Sequence, residues 1–216
     1  MLIVFSGTDG SGKSTQINLL IDAFPKDSCI VLWGRGGYTP IFMYLKKLIR
    51  FLLRNKIPSS GESKKRDIAI NNMLVYRLWM VIACTDLFLY YGVYVRFMLL
   101  QGKNVICDRY IEDTQVDFNR NFSEHFRGGG SFWRLLKWSL PVPDQSFLLH
   151  VPTNVSLVRS KMKGEPFPDT PETLEFRLKA YFDESIFPSD KYHKIDCQKP
   201  IESINSEIIE KFKELS

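Results

Sequence analysis

The chain has 216 residues, of which 44% are hydrophobic and 25% are charged, and its formal net charge is +5. This composition is typical of a globular protein and predicts one α/β domain, 1–216. Because no long basic run occurs, the surplus positive charge is assigned to a site for small anionic ligands and not to nucleic acid. The four cysteines lack C-x-x-C spacing, which supports neither a zinc site nor a disulfide framework and predicts free thiols in a reducing cytoplasm.

The first predicted elements are a buried strand at 2–5, a glycine-rich loop at 7–14 and a helix with apolar spacing at 17–24. The loop has the pattern G-x-x-x-x-G-K-S, in which the glycines let successive N–H groups face an anion at a helix N-terminus. This context predicts a nucleoside triphosphate site, with Lys13 at the outer phosphates and Ser14 at Mg²⁺. The residues assigned to phosphate binding are Gly7, Asp9, Gly10, Ser11, Gly12, Lys13, Ser14 and Thr15.

A second apolar stretch, 29–33, predicts another buried strand, and the glycine-rich segment 34–40 follows it. Because ligands bind at the carboxyl ends of parallel strands, Arg35 in this segment is a candidate substrate residue; a plain surface turn is the alternative. The next stretch, 41–56, has the pattern of a basic amphipathic helix. We interpret it as a packed helix with a solvated back, in preference to a helix that binds a membrane or a partner. The polar segment 58–66 predicts a mobile loop.

The most apolar region of the chain, 73–100, predicts a long buried helix that begins after Asp67 as its cap and bends at Gly92. Charged side chains interrupt this region and limit its charge-free runs to about half the span of a bilayer. The region is therefore predicted to be a core helix and not a transmembrane segment.

The third predicted strand, 104–107, is followed at once by Asp108 and Arg109. A carboxylate and a guanidinium at the carboxyl end of a strand beside a phosphate loop suit phosphoryl transfer. Asp108 could order a water bound to Mg²⁺, and Arg109 could hold an acceptor phosphate with its bidentate fork. A structural ion pair is the alternative.

Helices are next predicted over 111–120 and 132–140, joined by a flexible connection, and a fourth strand is predicted over 146–151. The helix after this strand carries cations and ends in a Gly/Pro-rich break at 164–171. This arrangement predicts a lid at about 159–171, which would close over the phosphates and bring cations to the transferred charge. A solvated basic face is the alternative.

A helix predicted over 171–187 places Arg177 and Tyr181 one turn apart on one face. A last strand is predicted over 192–197 and a last helix over 200–215. The alternation of strands and helices along the chain predicts a mostly parallel sheet that is covered by helices on both faces.

Several motifs occur in a fixed order: F-S-G-T-D-G-S-G-K-S-T-Q at 5–16, C-D-R-Y at 107–110, P-D at 143–144, L-L-H-V-P at 148–152, and I-D…P-I-E at 195–202. Together they resemble the thymidylate kinase family over nearly the whole chain. The resemblance implies a P-loop NTPase three-layer sandwich, with a five-stranded parallel sheet, helices on both faces and a short helical lid. It also implies ATP, Mg²⁺ and a homodimer. The cytoplasmic location is the expectation from the free cysteines.

The resemblance implies transfer of the γ-phosphoryl group of ATP to a nucleoside monophosphate, with dTMP converted to dTDP as the first hypothesis. The catalytic candidates are Asp9, Lys13, Arg109, Arg159 and Lys161. The acceptor-binding candidates are Asp9, Arg35, Arg77, Asp108, Arg109, Tyr110 and Thr114, and the metal-binding candidates are Ser14 and Asp108.

Some roles follow from the family's motif positions. Asp9 stands where the family keeps a carboxylate near the acceptor sugar hydroxyl, and Arg109 matches the residue that clamps the acceptor phosphate. Gly10 stands where some members have a catalytic arginine, so the resemblance implies that the lid supplies this cation from Arg159, Lys161 or Lys163.

The base-reading positions depart from the family. Leu87 stands at the place of the thymine-binding arginine and Ala83 near that of the stacking aromatic, unless a shift of one helical turn makes Arg77 or Trp79 serve. Each such contact contributes about 1–3 kcal/mol. The second hypothesis is therefore a kinase of the same fold with another acceptor, such as a nucleoside, another nucleotide or a phosphorylated metabolite.

Two further carboxylates, Asp113 and Asp117, are predicted near the acceptor, where they would favour hydroxyls or amines over a second anion. A third and less favoured hypothesis is a P-loop ATPase switch that engages a partner or membrane through the helix at 41–56. No guanine-reading N-K-x-D motif is present for a GTP-dependent version.

Overall fold

The computed structural model of the chain describes residues 1–34, 39, 73–123, 125–126, 129–164 and 169–214. Its strands form one parallel sheet in the order β2-β3-β1-β4-β5. They are β1 (Leu2–Gly7), β2 (Cys29–Trp33), β3 (Asn104–Asp108), β4 (Gln145–His150) and β5 (Tyr192–Asp196). The prediction of a five-stranded parallel sheet is confirmed, and β1 lies at its centre with the glycine-rich loop at its carboxyl end.

The described helices largely follow the predicted ones. They are α1 (Lys13–Ile21), α2 (Met73–Leu87), a π-helix (Phe88–Tyr94), α3 (Val95–Leu100), α4 (Ile111–Asn121), α5 (Gly130–Ser139), α6 (Thr153–Met162), α7 (Pro171–Tyr181) and α8 (Ile201–Lys213). The helix predicted to reach residue 187 ends at Tyr181. The predictions for 41–56, 58–66 and Asp67 lie outside the described residues.

The central strand β1 is buried on both faces, as its apolar run predicts, whereas Val31 and Trp33 of the edge strand β2 are exposed. Leu2 and Val4 of β1 pack with residues of α2, the π-helix, α4 and α5 on one face. Ile3 and Phe5 alternate with them and pack with α1 and α8 on the other face. The result is the predicted three-layer sandwich. The four cysteines are free, as predicted.

One helical stretch of the described chain, Tyr76–Leu100, is long and apolar enough by composition to cross a membrane. Half of its most apolar window is buried inside the protein. Burial of this kind is typical of a core helix, which is the interpretation that the charged residues in its sequence favour.

The bend predicted at Gly92 is replaced by a π-helix that turns two successive tyrosines toward the sheet. The Tyr90 hydroxyl donates to the Trp33 carbonyl at 3.0 Å, and the Tyr91 hydroxyl lies 2.9 Å from the Gly34 carbonyl and 3.3 Å from that of Arg109. A side chain at Gly34 would meet the Tyr91 hydroxyl at 2.5 Å, so glycine is required there. The π-helix thus supports the carboxyl ends of β2 and β3, where functional residues gather.

We expect Tyr91→Phe to lower the free energy of unfolding by about 1–3 kcal/mol, because the buried carbonyls of Gly34 and Arg109 lose the hydroxyl whose single proton they share. Tyr90→Phe is the matched control, since it removes a hydroxyl that bonds one carbonyl at a less buried position. Chemical denaturation measures both variants. An equal or larger loss in Tyr90→Phe would contradict the special position of Tyr91.

Candidate functional site

The glycine-rich loop is shaped by backbone positions that only glycine fills without strain. Gly7 ends β1 with φ +136°, and an added Cβ would overlap the backbone carbonyl of Leu149 on the neighbouring strand. Gly12 has φ +91° and is the residue just before α1. These two turns fold the loop back so that the N-terminus of α1 faces the loop's interior, which is the arrangement that binds phosphate.

Lys13 lies inside this loop. Its Nζ donates to the carbonyl of Gly7 at 3.0 Å and to that of Thr8 at 2.8 Å, and its side chain is buried. Burial, reinforced by the charge of Arg109, lowers the pKa of Lys13 to about 8. The ammonium group is therefore held by weak neutral acceptors, and an anionic phosphate oxygen would replace them favourably.

A cavity of about 580 Å³ opens in front of the loop. Its volume suits a nucleotide-sized ligand. The predicted loop residues from Asp9 to Thr15 line it, as do Asp108, Arg109 and Arg159. Gly7 lies behind them in β1. The cavity also includes residues that sequence patterns did not single out, namely Trp33, Cys197, Lys199, Ile201 and Ile204.

The residues predicted to hold Mg²⁺ fit that ion. Ser14 is exposed at the cavity, and Asp108 lines the same cavity at the end of β3. Within the described ranges, Asp108 Oδ1 is a buried oxygen without a hydrogen-bond partner, and burial raises the pKa of this carboxyl. No cluster of three His, Cys, Asp or Glu ligands occurs in that part of the chain. Mg²⁺ needs only a hydroxyl, a carboxylate, waters and phosphate oxygens.

Arg109 is the centre of a buried polar network. Its Nη1 donates to the Gly7 carbonyl at 3.2 Å and to Asp113 Oδ1 at 3.1 Å, and its Nη2 pairs with Asp9. Its backbone has φ +80°, a conformation that a non-glycine residue adopts only where its surroundings enforce it. The contacts with Gly7 and Asp9 place the Arg109 guanidinium beside the phosphate loop, as predicted.

Asp113 holds Arg109 in place. It is buried, accepts a hydrogen bond from the Ser6 hydroxyl at 2.5 Å and from the Tyr110 backbone N–H at 3.2 Å, and receives the Tyr181 hydroxyl at 2.9 Å. Because Asp113 accepts hydrogen bonds from these three groups of the protein, it anchors the start of α4 and does not line the cavity. It belongs to the support of Arg109.

Arg177 is the second buried guanidinium of this network. Its Nη1 lies 3.2 Å from Asp9 Oδ2 and pairs with Asp169, and its Nη2 lies 3.2 Å from Asp117 Oδ1. Asp113 and Asp117, predicted as extra acceptor-side carboxylates, thus each bind an arginine of the protein.

The lid cations are placed differently from one another. Arg159 lines the cavity and donates from Nη1 to the Gly10 carbonyl and from Nη2 to the Cys197 carbonyl, both at 3.1 Å. Lys163 also lines the cavity, whereas Lys161 is exposed and is not among the lining residues. The structure brings Arg159 to the loop and does not bring Lys161 there. Part of the predicted lid, 165–168, lies outside the described residues.

Several acceptor-binding candidates do not line the cavity. Arg77 is exposed on α2, Tyr110 is buried with its hydroxyl on the Pro141 carbonyl at 2.8 Å, and Thr114 is buried in α4. Arg35 lies outside the described residues. Their roles stay predictions.

The positions predicted to read the acceptor base pack in the protein core. Leu87 and Ala83 are both buried in the core beside the sheet, and Trp79 packs against Phe118 and Phe122. None of the three lines the cavity.

The sequence predicts Arg177 and Tyr181 on one helix face, but neither was predicted to belong to the site. Their spacing could have indicated a common role, because side chains four residues apart on a helix lie on the same face and can contact the same neighbouring residues. Trp33, at the end of β2 and 48% exposed, could have been found as an aromatic residue at a strand's carboxyl end.

Comparison with known proteins adds sequence relatives. No family model matches the chain. It is 29% identical to the thymidylate kinase of Wolbachia pipientis wMel over 168 residues, which cover 76% of this chain and 74% of the relative. It is 27% identical to the probable thymidylate kinase of Pyrococcus horikoshii over 212 residues, covering 96% of this chain and 93% of the relative.

Solved structures support the same fold. The thymidylate kinase of Ehrlichia chaffeensis matches with a TM-score of 0.54 at 18% identity, over 98% of both chains. The deoxyadenosine kinase of M. mycoides with bound dATP matches with a TM-score of 0.59 at 16% identity, over 99% of this chain and 100% of that one. At these identities the likeness concerns the fold alone.

Proposed function

We propose that the chain, whose sequence relatives are thymidylate kinases, is itself a member of that family. In this proposal it transfers the γ-phosphoryl group of ATP to a nucleoside monophosphate, converting dTMP to dTDP. The chain is accordingly a phosphotransferase that uses nucleotide substrates. The observation that carries the proposal is the joint placement of Lys13, Asp108 and Arg109 along one cavity. This placement puts a phosphate-binding lysine, a carboxylate and a buried guanidinium within one site, as transfer between two phosphates requires.

In the proposed reaction an oxygen of the acceptor phosphate forms the new bond to the γ-phosphorus. The bond between that phosphorus and the β,γ-bridging oxygen breaks, and ADP leaves with the electron pair. No covalent enzyme intermediate is needed, so the protein's work is positioning and charge neutralisation. Lys13 and the amides of the loop bind the outer phosphates, Arg159 adds charge from the lid side, and Arg109 orients the acceptor.

Mg²⁺ is part of the proposal. Ser14 and Asp108 would hold it, and the bound ion would neutralise charge on the phosphate oxygens. The partnerless Asp108 Oδ1 among the described residues supports this assignment.

An ADP-release assay with dTMP, dUMP, UMP, CMP and AMP as acceptors tests the proposal. We expect acceptor-dependent ADP release that is largest with dTMP and that requires Mg²⁺. Absence of acceptor-dependent release with all five nucleotides would refute it.

A nucleoside acceptor is the second candidate. Arg109 and Arg177 together face four carboxylates, Asp9, Asp113, Asp117 and Asp169. This excess of negative charge favours a neutral acceptor hydroxyl over a phosphate beside Arg109 and Asp9, the two members of this network that line the cavity. Thymidine and deoxyadenosine in the same assay separate the two candidates, since dominant turnover of a nucleoside would replace dTMP as the substrate.

The proposal covers the whole chain as one kinase domain with the lid at about 159–171, acting as a homodimer in the cytoplasm. The family resemblance supports these features. Light scattering of the purified chain tests the homodimer, and a monomer at micromolar concentration would contradict it.

ATP affinity is expected to fall above pH 8. The pKa of Lys13 is lowered to about 8 in the free protein, and the bound triphosphate favours the charged amine. Above that pH, binding must therefore recover a proton, and affinity should be about tenfold weaker at pH 9 than at pH 7. Calorimetric titration with ATP measures this dependence, and Lys13→Met should remove it.

Arg159 and Lys161 are expected to differ in their contribution to turnover. Arg159→Met should lower kcat by about tenfold to a hundredfold, since it removes a cation at the cavity. Lys161→Met should lower kcat by less than about threefold, because Lys161 lies outside the cavity in exposed solvent. Steady-state kinetics measures kcat for both variants. A larger loss in Lys161→Met than in Arg159→Met would show that Lys161 is the catalytic cation.

A further inference from the structure

Arg177 is a buried guanidinium to which the proposed reaction gives no role. Only 8% of its side chain is exposed. Its three carboxylate partners come from separate parts of the chain: Asp9 in the phosphate loop, Asp117 in α4 and Asp169 just before α7. A buried charge that is shared among three segments fixes their relative positions.

Asp9 is the partner that connects Arg177 to the site. Its Oδ1 pairs with Arg109 and its Oδ2 with Arg177, so each carboxylate oxygen has its own guanidinium. The carboxylate lines the cavity and is 24% exposed. Two buried donors on opposite oxygens restrict the carboxylate to one orientation while leaving it accessible to a ligand.

Helix α7 supports both arginines that hold Asp9. Arg177 acts directly, and one turn later the Tyr181 hydroxyl lies 2.9 Å from Arg109 Nη1 and 2.9 Å from Asp113 Oδ1. The same helix face therefore controls both ends of the Asp9 carboxylate. Thr170 caps this helix by accepting from the Thr173 backbone N–H.

We infer that Arg177 is a positioning residue for the acceptor: it orients the Asp9 carboxylate to accept a hydroxyl of the acceptor sugar. The inference rests on the proposed function for the identity of the acceptor. Arg177 does not line the cavity, so it acts through Asp9 and not by touching the acceptor.

The test is a pair of kinetic comparisons with dTMP and ATP. Arg177→Gln is made in the native chain and in the Asp9→Asn variant. In the native chain we expect kcat/KM for dTMP to fall by about tenfold to a hundredfold, with the KM for ATP unchanged. In the Asp9→Asn variant the same substitution should change kcat/KM by less than about twofold, because the carboxylate that Arg177 orients is already absent.

The matched control is Arg120→Gln. Arg120 Nη2 donates to Thr173 Oγ1 at 2.5 Å and so joins the same two helices, α4 and α7, without a bond to Asp9. We expect it to leave kcat/KM for dTMP within about twofold of the native value. Arg177→Lys, which keeps the charge, should recover part of the activity lost in Arg177→Gln.

A second readout is discrimination between dTMP and its 3′-deoxy analogue. If Arg177 orients Asp9 toward the sugar hydroxyl, Arg177→Gln should lower the ratio of their kcat/KM values by about tenfold. An unchanged ratio would overturn the inference. An equal loss from Arg177→Gln in both Asp9 backgrounds would also overturn it, since Arg177 would then act on the fold or on the acceptor directly.

Failure of the proposed function is distinguishable from failure of this inference. A native chain without turnover of any nucleoside monophosphate refutes the function, while the Arg177–Asp9 link is still tested by denaturation. We expect the combined Arg177→Gln and Asp9→Asn variant to lose less stability than the two single variants added together. Additive losses would refute the link whatever the acceptor is.

Discussion

Lys13→Met is expected to lower kcat by about 10²–10³-fold, because the transferred charge loses its buried cation. Met has a similar length, so the side chain still fills the loop. Lys13 donates to two backbone carbonyls in the structure, and its charge is disfavoured by burial. Replacing a buried charge by an apolar side chain of similar volume is close to neutral for folding, so stability should change by only about 1 kcal/mol.

Steady-state kinetics with saturating ATP and acceptor measures the loss, and chemical denaturation measures stability. Lys179→Met is the matched control, since Lys179 is 78% exposed and forms only a surface ion pair with Glu175. A Lys13→Met enzyme with kcat within tenfold of the native value would show that this loop does not hold the transferred phosphate.

Arg109→Met is expected to lower the free energy of unfolding by about 3–5 kcal/mol and to abolish measurable acceptor turnover. The guanidinium pairs with Asp9 and Asp113, and its removal leaves the buried Asp113 carboxylate without its one cationic partner among the described residues, while Asp9 keeps its pair with Arg177. Burial opposes the charge of Arg109, but Tyr181, Asp9 and Asp113 outweigh it and raise its pKa. The residue is therefore positively charged at every pH at which the protein is folded.

Denaturant unfolding measures the stability loss, and Asp113→Asn provides the comparison. In the combined variant the two losses should be strongly non-additive, because both residues belong to one network. A loss below about 1 kcal/mol in Arg109→Met would contradict the burial and pairing of this guanidinium. Acceptor binding with unchanged affinity would contradict its role as the acceptor clamp.

The sequence is informative where function depends on neighbouring residues. The loop from Gly7 to Ser14 is a local motif whose glycines and lysine predict a phosphate-binding turn. Asp108 and Arg109 directly follow a strand that the sequence shows as an apolar run. Parallel strands then bring these two segments to one edge of the sheet. Local pattern and a simple topological rule were enough to predict this half of the site.

The remaining half depends on pairings between distant segments. Arg177 meets Asp9 across 168 positions of the chain, and nothing in the local pattern of α7 distinguishes its buried arginine from a solvated one. Asp113 was placed near the acceptor on sequence grounds, yet hydrogen bonds to Ser6 and Tyr181 make it part of the protein's own support. Which carboxylate faces a ligand and which faces an arginine is a property of packing.

The π-helix illustrates a further limit. A glycine in an apolar helix signals some irregularity, and a bend at Gly92 was the natural expectation. The structure instead inserts a wider turn, because this directs Tyr90 and Tyr91 together onto the carbonyls at the ends of β2 and β3. The π-helix therefore depends on contacts with distant strands, which the local sequence of the helix does not reveal.

The central claim is that this chain moves a phosphoryl group from ATP to a nucleoside monophosphate, and its most direct test is ³¹P NMR of the reaction mixture. With ATP, Mg²⁺ and dTMP we expect the dTMP signal to be replaced by the two signals of dTDP as ADP forms in equal amount. ADP accompanied by inorganic phosphate, with dTMP unchanged, would identify an ATPase and contradict the claim.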